Sequence, residues 1–138
     1  MIQNTLMAFA VLTVLACGGN CDDDNNQSFR SVGPLFFTGF YSGAGEDLHI
    51  REATAPESDE NRFSAGQTKS VSGSNQFFAT ETDSASIDYV ASRPGATLAT
   101  TKLTITYPQA VEIVNLTRRI RVTYNGTTLT AVTEPVGE

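Results

Sequence analysis

From Phe29 onward, the chain alternates short runs rich in Val, Ile, Thr, Phe and Tyr with clusters of Gly, Ser, Asn and Asp. No window of eleven or more residues carries apolar side chains at the i, i+3, i+4, i+7 spacing of a helix between capping residues. β-branched and aromatic residues favour extended backbone, and small polar clusters favour turns. The pattern therefore predicts a single all-β domain over residues 29–138.

The number of predicted strands indicates the architecture of this domain. We expect seven to eight strands in an antiparallel β-sandwich, with a small β-barrel as the alternative. The glycine-bearing connection 42–46 predicts that strands 34–41 and 47–53 pair as a hairpin. Residues 110–116 are mostly apolar and predict a buried strand, whereas residues 54–64 lack a strand pattern and predict the longest loop.

The clearest local signal is Asn125-Gly126, which lies between two β-prone runs. Asn-Gly favours a two-residue hairpin turn, because both turn residues must adopt positive φ. The predicted cross-strand pairs, all on the core-facing side, are Tyr124 with Thr127, Val122 with Leu129, and Ile120 with Ala131.

The amino-terminal segment differs from the rest of the chain. Residues 6–16 are apolar except for Thr13. A membrane-spanning helix needs roughly 20 residues, whereas a run of this length matches the apolar region of an export signal. The run ends at Cys17 and is followed by small and acidic residues that include Asp22, Asp23 and Asp24.

Val14-Leu15-Ala16-Cys17 resembles the lipobox of bacterial lipoproteins. The resemblance implies cleavage after Ala16 and attachment of a diacylglycerol to the Cys17 thiol. It predicts a signal peptide over residues 1–16, a lipidated cysteine with an acidic tether over 17–28, and an outer-membrane lipoprotein exposed at the cell surface. One alternative is a cleaved secretory signal, with the protein secreted or periplasmic. Another is an uncleaved amino-terminal helix that is buried in a cytoplasmic protein. Two features depart from the family: Leu15 is bulky, and the first five residues carry no Lys or Arg.

Aromatic residues are concentrated before the first glycine-bearing connection. Alternation directs Phe37 and Tyr41 to one face of the predicted strand and Phe36 and Phe40 to the other. One interpretation is core packing. The other is that Phe36 and Phe40 line an apolar pocket for a small ligand, as in a β-barrel carrier.

The residues that could carry catalysis are few. His49 is the single histidine and lies on the polar face of its strand, with no Gly-x-Ser-x-Gly elbow elsewhere in the chain. A pair of carboxylates could hydrolyse glycosides, and Asp88 and Glu112 are the acids that lie inside strongly apolar runs, but nothing in the sequence brings them together. We therefore predict no catalytic residues, no metal site and no cofactor, and treat an envelope hydrolase as the minor alternative to a binding or structural module.

The charge balance limits the range of partners. Nine Lys and Arg against fifteen Asp and Glu give a net charge of −6, which argues against a nucleic-acid partner. Arg118, Arg119 and Arg121 form the one basic cluster. It is either a docking stripe for an envelope protein, a glycan carboxylate or lipid headgroups, or protection of a sheet edge against aggregation.

Overall fold

The computed structural model describes residues 30–136, so the predicted signal peptide, Cys17 and the tether lie outside the described residues. The described part contains one helix, α1 (Tyr107–Val114), and a 3₁₀ turn (Asp59–Asn61). The strands are β1 (Arg30–Val32), β2 (Phe37–Tyr41), β3 (Leu48–Glu52), β4 (Arg62–Phe63), β5 (Thr68–Val71), β6 (Gln76–Phe78), β7 (Ser84–Arg93), β8 (Ala96–Thr106), β9 (Arg118–Tyr124) and β10 (Leu129–Pro135).

The strands form three sheets. Two have four strands, in the orders β10-β9-β2-β5 and β4-β3-β7-β8, and β1 pairs with β6 in a third. None of these sheets closes on itself within residues 30–136. The all-β, sandwich-like prediction is confirmed.

The core lies between the two four-stranded sheets. Phe37 of β2 meets Tyr89 of β7 edge to face, with ring centroids 5.0 Å apart. Along β2, Phe37, Gly39 and Tyr41 are buried while the residues between them are partly exposed. Period-two alternation therefore places one face of each strand in the core, where a large apolar side chain contributes about 1.5–3 kcal/mol.

The predicted hairpin between residues 34–41 and 47–53 is wrong. β2 pairs with β5 and, in parallel, with β9, whereas β3 pairs with β4 and β7 in the other sheet. The connection 42–46 therefore crosses between the sheets. Ser42 N–H donates to the Tyr124 carbonyl at 2.9 Å, which keeps the start of this connection beside β9.

The predicted strand over residues 110–116 is also wrong, because Tyr107–Val114 is the helix α1. Thr106 Oγ1 accepts the Gln109 N–H at 3.2 Å, and Gln109 Oε1 accepts the Thr106 N–H at 3.0 Å. This reciprocal capping box starts the helix, and Pro108 in its first turn needs no hydrogen-bond acceptor. Ala110 and Ile113 face the core.

Residues 30–136 contain no helix with the length and hydrophobicity that a membrane span needs.

The β9–β10 hairpin forms with the predicted core face but a different register. Tyr124 pairs with Leu129 and Val122 with Ala131, two positions from the predicted pairs. The turn is centred on Gly126-Thr127, because Asn125 N–H donates to the Thr128 carbonyl at 3.2 Å. Gly126 has a φ of 98°, a conformation that glycine adopts without the strain a side chain would bring. A shift of two keeps Leu129 and Ala131 on the predicted face, but Thr127, predicted on the core side, lies in the turn and is exposed.

β7 and β8 form a long antiparallel hairpin. Its two-residue turn, Pro94-Gly95, connects the paired residues Arg93 and Ala96. Gly95 has a φ of 82°, which the second central position of a type II turn requires. The hairpin carries β7 past the edge of the core and places Arg93 at the rim of the sheet.

Candidate functional site

The loop after β3 covers the outer face of the second sheet. Val90 and Ser92 lie on the face of β7 that points away from the core, yet both are buried. Asn61 is buried as well, and its side-chain oxygen accepts hydrogen bonds from Ser58 N–H at 3.0 Å and from His49 Nδ1 at 2.7 Å. Residues 53–61 therefore form a polar cover over the outer face of β3 and β7.

An open depression of about 380 Å³ lies where this cover meets the β7–β8 turn. Arg51 of β3, Pro56 and Glu57 of the cover, and Ser92 and Arg93 of β7 contribute to its wall. Residues 95–97, in and just after the turn, complete the wall. Arg51, Glu57 and Ser92 thus bring one guanidinium, one carboxylate and one buried hydroxyl to the depression, whereas the side chain of Arg93 leaves β7 on the opposite face from Ser92.

Both arginines are held by uncharged acceptors. Arg51 donates to the Ala55 carbonyl at 2.7 Å and to Ser92 Oγ at 3.2 Å. Arg93 donates to the carbonyls of Asp47, at 3.1 Å, and Glu46, at 3.0 Å. Carbonyl groups orient a guanidinium without cancelling its charge. Arg51 lies on the same face as Ser92 and keeps its charge beside the depression, whereas Arg93 lies on the core-facing side, where it binds the end of the connection before β3.

The two other polar groups of the depression bind each other. Ser92 Oγ donates to Glu57 Oε2 at 2.7 Å. Ser92 lies opposite His49 in the β3–β7 register, but its hydroxyl is directed to Glu57. The His49 Nδ1–H is donated to Asn61. This arrangement places no serine hydroxyl on the imidazole, so the hydrogen bonds fix the cover and do not build a catalytic triad.

The predicted basic cluster lies on β9, at the opposite sheet. Glu134 accepts from Arg119 at 2.7 Å and from Arg121 at 2.6 Å, and Arg118 binds Glu112 at 2.7 Å. The hydrogen bond from Arg119 holds the pKa of the Glu134 carboxyl below its ordinary value, and Arg121 acts in the same direction. The stripe is thus largely neutralised by its own neighbours.

The other predicted site residues are not gathered together. Phe36 is 47% exposed and Phe40 is half-buried, and neither lines the depression. Asp88 pairs with Lys102 at 2.9 Å, while Glu112 lies on α1. Residues 30–136 contain no group of three or more His, Cys, Asp and Glu side chains able to hold a metal ion.

Sequence reasoning missed the depression for an identifiable reason. Arg51 was visible as a polar-face residue of its strand, but its partner Ser92 lies 41 positions away. The Pro94-Gly95 dipeptide is the one local signal that could have located the turn beside the site. Its recognition would have placed Arg93 at the end of a hairpin.

The fold and the depression define an all-β, sandwich-like domain with a polar surface site. No protein-family model matches the chain, no curated protein matches it, and no solved structure matches it.

Proposed function

We propose that this chain is a lipid-anchored protein of the bacterial cell envelope whose β-sandwich domain is a non-enzymatic binding module. The observation that carries the binding half is the open polar depression on the outer face of β3 and β7, to which Arg51, Glu57 and Ser92 contribute their side chains. The lipobox-like residues Val14–Cys17 support the anchoring half. The commitment of Ser92 to Glu57 and of His49 to Asn61 supports binding over hydrolysis.

The anchor is tested by metabolic labelling of bacteria that express the full chain with radioactive palmitate. We expect label on the native protein, loss of label in Cys17→Ser, and accumulation of the unprocessed native form with globomycin. Cys21→Ser is the matched control, because Asn20 precedes Cys21 where a lipobox needs a small residue. It should label like the native chain. Label that persists in Cys17→Ser contradicts the anchor.

A further inference from the structure

Five of the six large apolar side chains that are exposed in residues 30–136 lie at one end of the domain, which we call the entry end. They are Phe36, Phe77, Val114, Leu116 and Val136. Phe36 directly precedes β2, Leu116 lies two residues before β9, and Val136 directly follows β10. β2 and β9 run in parallel, and Val136 N–H donates to the Thr117 carbonyl at 3.0 Å. These three residues are therefore neighbours at the same end of one sheet.

Val114 and Phe77 belong to the same end of the domain. Val114 is the last residue of α1, two positions before Leu116. Phe77 lies in β6, and Leu35 N–H donates to the Ser74 carbonyl at 3.1 Å, which joins the chain before β2 to the chain before β6. β6 also pairs with β1, the strand at which the described structure begins. The exposed apolar residues therefore gather where the amino-terminal segment joins the domain.

The opposite end of the domain differs in its surface. It carries the connection 42–46 and the turns 94–95 and 126–127. None of the residues in these three segments is an exposed large apolar residue. The concentration of such side chains is therefore a property of the entry end. Clustered apolar exposure of this kind marks a surface that contacts a protein or a membrane.

Leu116 shows that the apolar surface does not serve folding. Its side chain is 78% exposed, and its φ is 68°. Leu116 N–H donates to the Ile113 carbonyl at 3.1 Å, and Thr117 N–H donates to the Glu112 carbonyl at 2.9 Å. These are the two bonds of a Schellman motif, in which glycine commonly takes this position because a side chain is strained at positive φ. A strained leucine that fills no part of the core favours a functional role.

A bilayer surface is the partner that this position favours. Cys17, the proposed site of acylation, precedes Arg30 of β1 by thirteen positions. Thirteen residues span at most about 45 Å, so an acylated Cys17 holds the entry end within that distance of the lipid. The seven residues of β9 separate the opposite end from the entry end by about 23 Å. The anchor also makes docking intramolecular, which raises the effective concentration of lipid at the entry end.

The charges at the entry end do not select an anionic lipid. Three arginines of β9 bind two carboxylates, Glu112 and Glu134. Tyr107 N–H donates to the Asp83 carbonyl at 3.1 Å, so the turn before β7 brings Asp83 and Glu81 to this end as well. Because cations and carboxylates are mixed, we expect apolar side chains to make the contact with a zwitterionic bilayer.

From this placement we infer that the entry end docks the domain against the bilayer to which Cys17 anchors the chain. The exposed apolar side chains enter the boundary between headgroups and acyl chains, where buried apolar area strengthens the anchor. The inference rests on the proposed anchor and adds the orientation of the domain. In this orientation the depression, whose wall includes residues 95–97 of the opposite end, faces away from the membrane.

Tryptophan fluorescence tests the orientation, because the chain has no tryptophan of its own. Single reporters are placed at the entry end, in Phe77→Trp and Val136→Trp, and at the opposite turn, in Thr127→Trp. The acylated chains are purified from bacteria and reconstituted in phosphatidylcholine vesicles with or without brominated phosphatidylcholine, which quenches a nearby indole. We expect a blue shift and quenching at both entry-end positions and neither in Thr127→Trp.

The outcomes separate this inference from the proposed function. Equal quenching of all three reporters, or no quenching at the entry end, overturns the docking. A blue shift without quenching shows that protein, rather than lipid, covers the entry end and overturns it as well. Palmitate labelling of the same preparations reports on the anchor: a labelled chain without quenching keeps the anchor and loses only the docking, whereas an unlabelled chain loses both.

Leu116→Gly separates docking from folding. Glycine adopts positive φ without strain, so urea denaturation should show a free energy of unfolding that is unchanged or raised. In the Phe77→Trp background, the ratio of docked to undocked domain should fall about threefold to tenfold, because one leucine is withdrawn from lipid. Val132→Thr is the matched control, since Val132 is exposed but lies inside β10, and it should leave the quenching unchanged. Quenching that is the same in Leu116→Gly and Val132→Thr overturns the role of Leu116.

Discussion

At the scale of single residues, two buried tyrosines differ in whether their hydroxyl group has a hydrogen-bond partner. Tyr41 donates to the Ala44 carbonyl at 3.0 Å. Tyr89 is fully buried, and its hydroxyl has no partner among the described residues. Burial raises the pKa of Tyr89, and the negative charge of Glu52 acts in the same direction. Folding therefore removes water from the Tyr89 hydroxyl, and no residue in the described part of the chain replaces the lost hydrogen bonds.

Removal of these two hydroxyls should have opposite effects on stability. We expect Tyr89→Phe to leave the free energy of unfolding unchanged or to raise it by about 1 kcal/mol, because an unsatisfied buried group disappears. Tyr41→Phe should lower it by about 1 kcal/mol, because a made hydrogen bond is lost. Urea denaturation of the full chain and both variants measures the difference. A loss of stability in Tyr89→Phe equal to that in Tyr41→Phe would contradict this account.

For Glu52, the sequence predicts the face of the strand but not the hydrogen-bond partner. Asp47, His49 and Arg51 lie on the polar face of this strand. Side chains alternate along a strand, so Glu52 lies on the core side, and it is buried there. Its carboxylate accepts the N–H of Ser74 at 3.0 Å and its hydroxyl at 2.7 Å. A buried carboxylate requires such partners, but a residue 22 positions away is not visible from local pattern.

At the scale of elements, α1 is where the sequence pattern and the structure differ most. The run 110–116 is apolar and contains valine and isoleucine, so its composition favours a strand. The preceding residues carry the helix signal: Thr106 followed by Gln109, with Pro108 between them. Capping decides the outcome because it satisfies donors that a helix start would leave unpaired.

The cap is therefore expected to stabilise the domain measurably. Thr106→Ala should lower the free energy of unfolding by about 1 kcal/mol, since the hydroxyl that accepts the Gln109 N–H is removed. Thr106→Ser retains the hydroxyl and should recover most of the loss. Denaturant titration followed by circular dichroism provides the measurement. If the alanine and serine variants have the same stability, the cap does not hold the helix.

In the β9–β10 hairpin, the local sequence determines which side chains face the core but does not determine the register of the two strands. The core-facing residues of β9 were predicted correctly because alternation alone determines the face. The register was wrong by two, because the side chain of Asn125 takes a role that was not anticipated. Its Oδ1 accepts from Thr127 N–H at 2.8 Å and Thr128 N–H at 2.7 Å, which moves the turn one residue along the chain.

At the scale of the whole molecule, the fit between the two sheets depends on one missing side chain. Gly39 lies on the core face of β2, and a Cβ there would lie 2.5 Å from the Phe63 ring of β4, in the other sheet. Phe63 is fully buried, with Lys69 Nζ 5.1 Å from its ring centroid on one side. The ring therefore occupies the space that a larger residue at 39 would need.

This contact predicts coupling between the sheets. Gly39→Ala should destabilise the native chain by about 1–3 kcal/mol through overpacking. In a Phe63→Leu background the smaller side chain leaves room, so the same substitution should cost less. A double-mutant cycle from urea denaturation gives the coupling energy, which should be about 0.5 kcal/mol or more. Additive effects would show that the alanine is accommodated elsewhere.

The sequence by itself determined the all-β class, the approximate positions of β2, β3, β9 and β10, and the residues of β2 and β9 that face the core. These properties follow from a two-residue period and from turn chemistry, which act between near neighbours. Tertiary structure decided that β2 pairs in parallel with β9 and that β3 joins the other sheet. It also built the depression, in which Arg51, Glu57 and Ser92 meet only after β3 and β7 have paired. Strand pairing decides these features because it brings together residues that are distant along the chain.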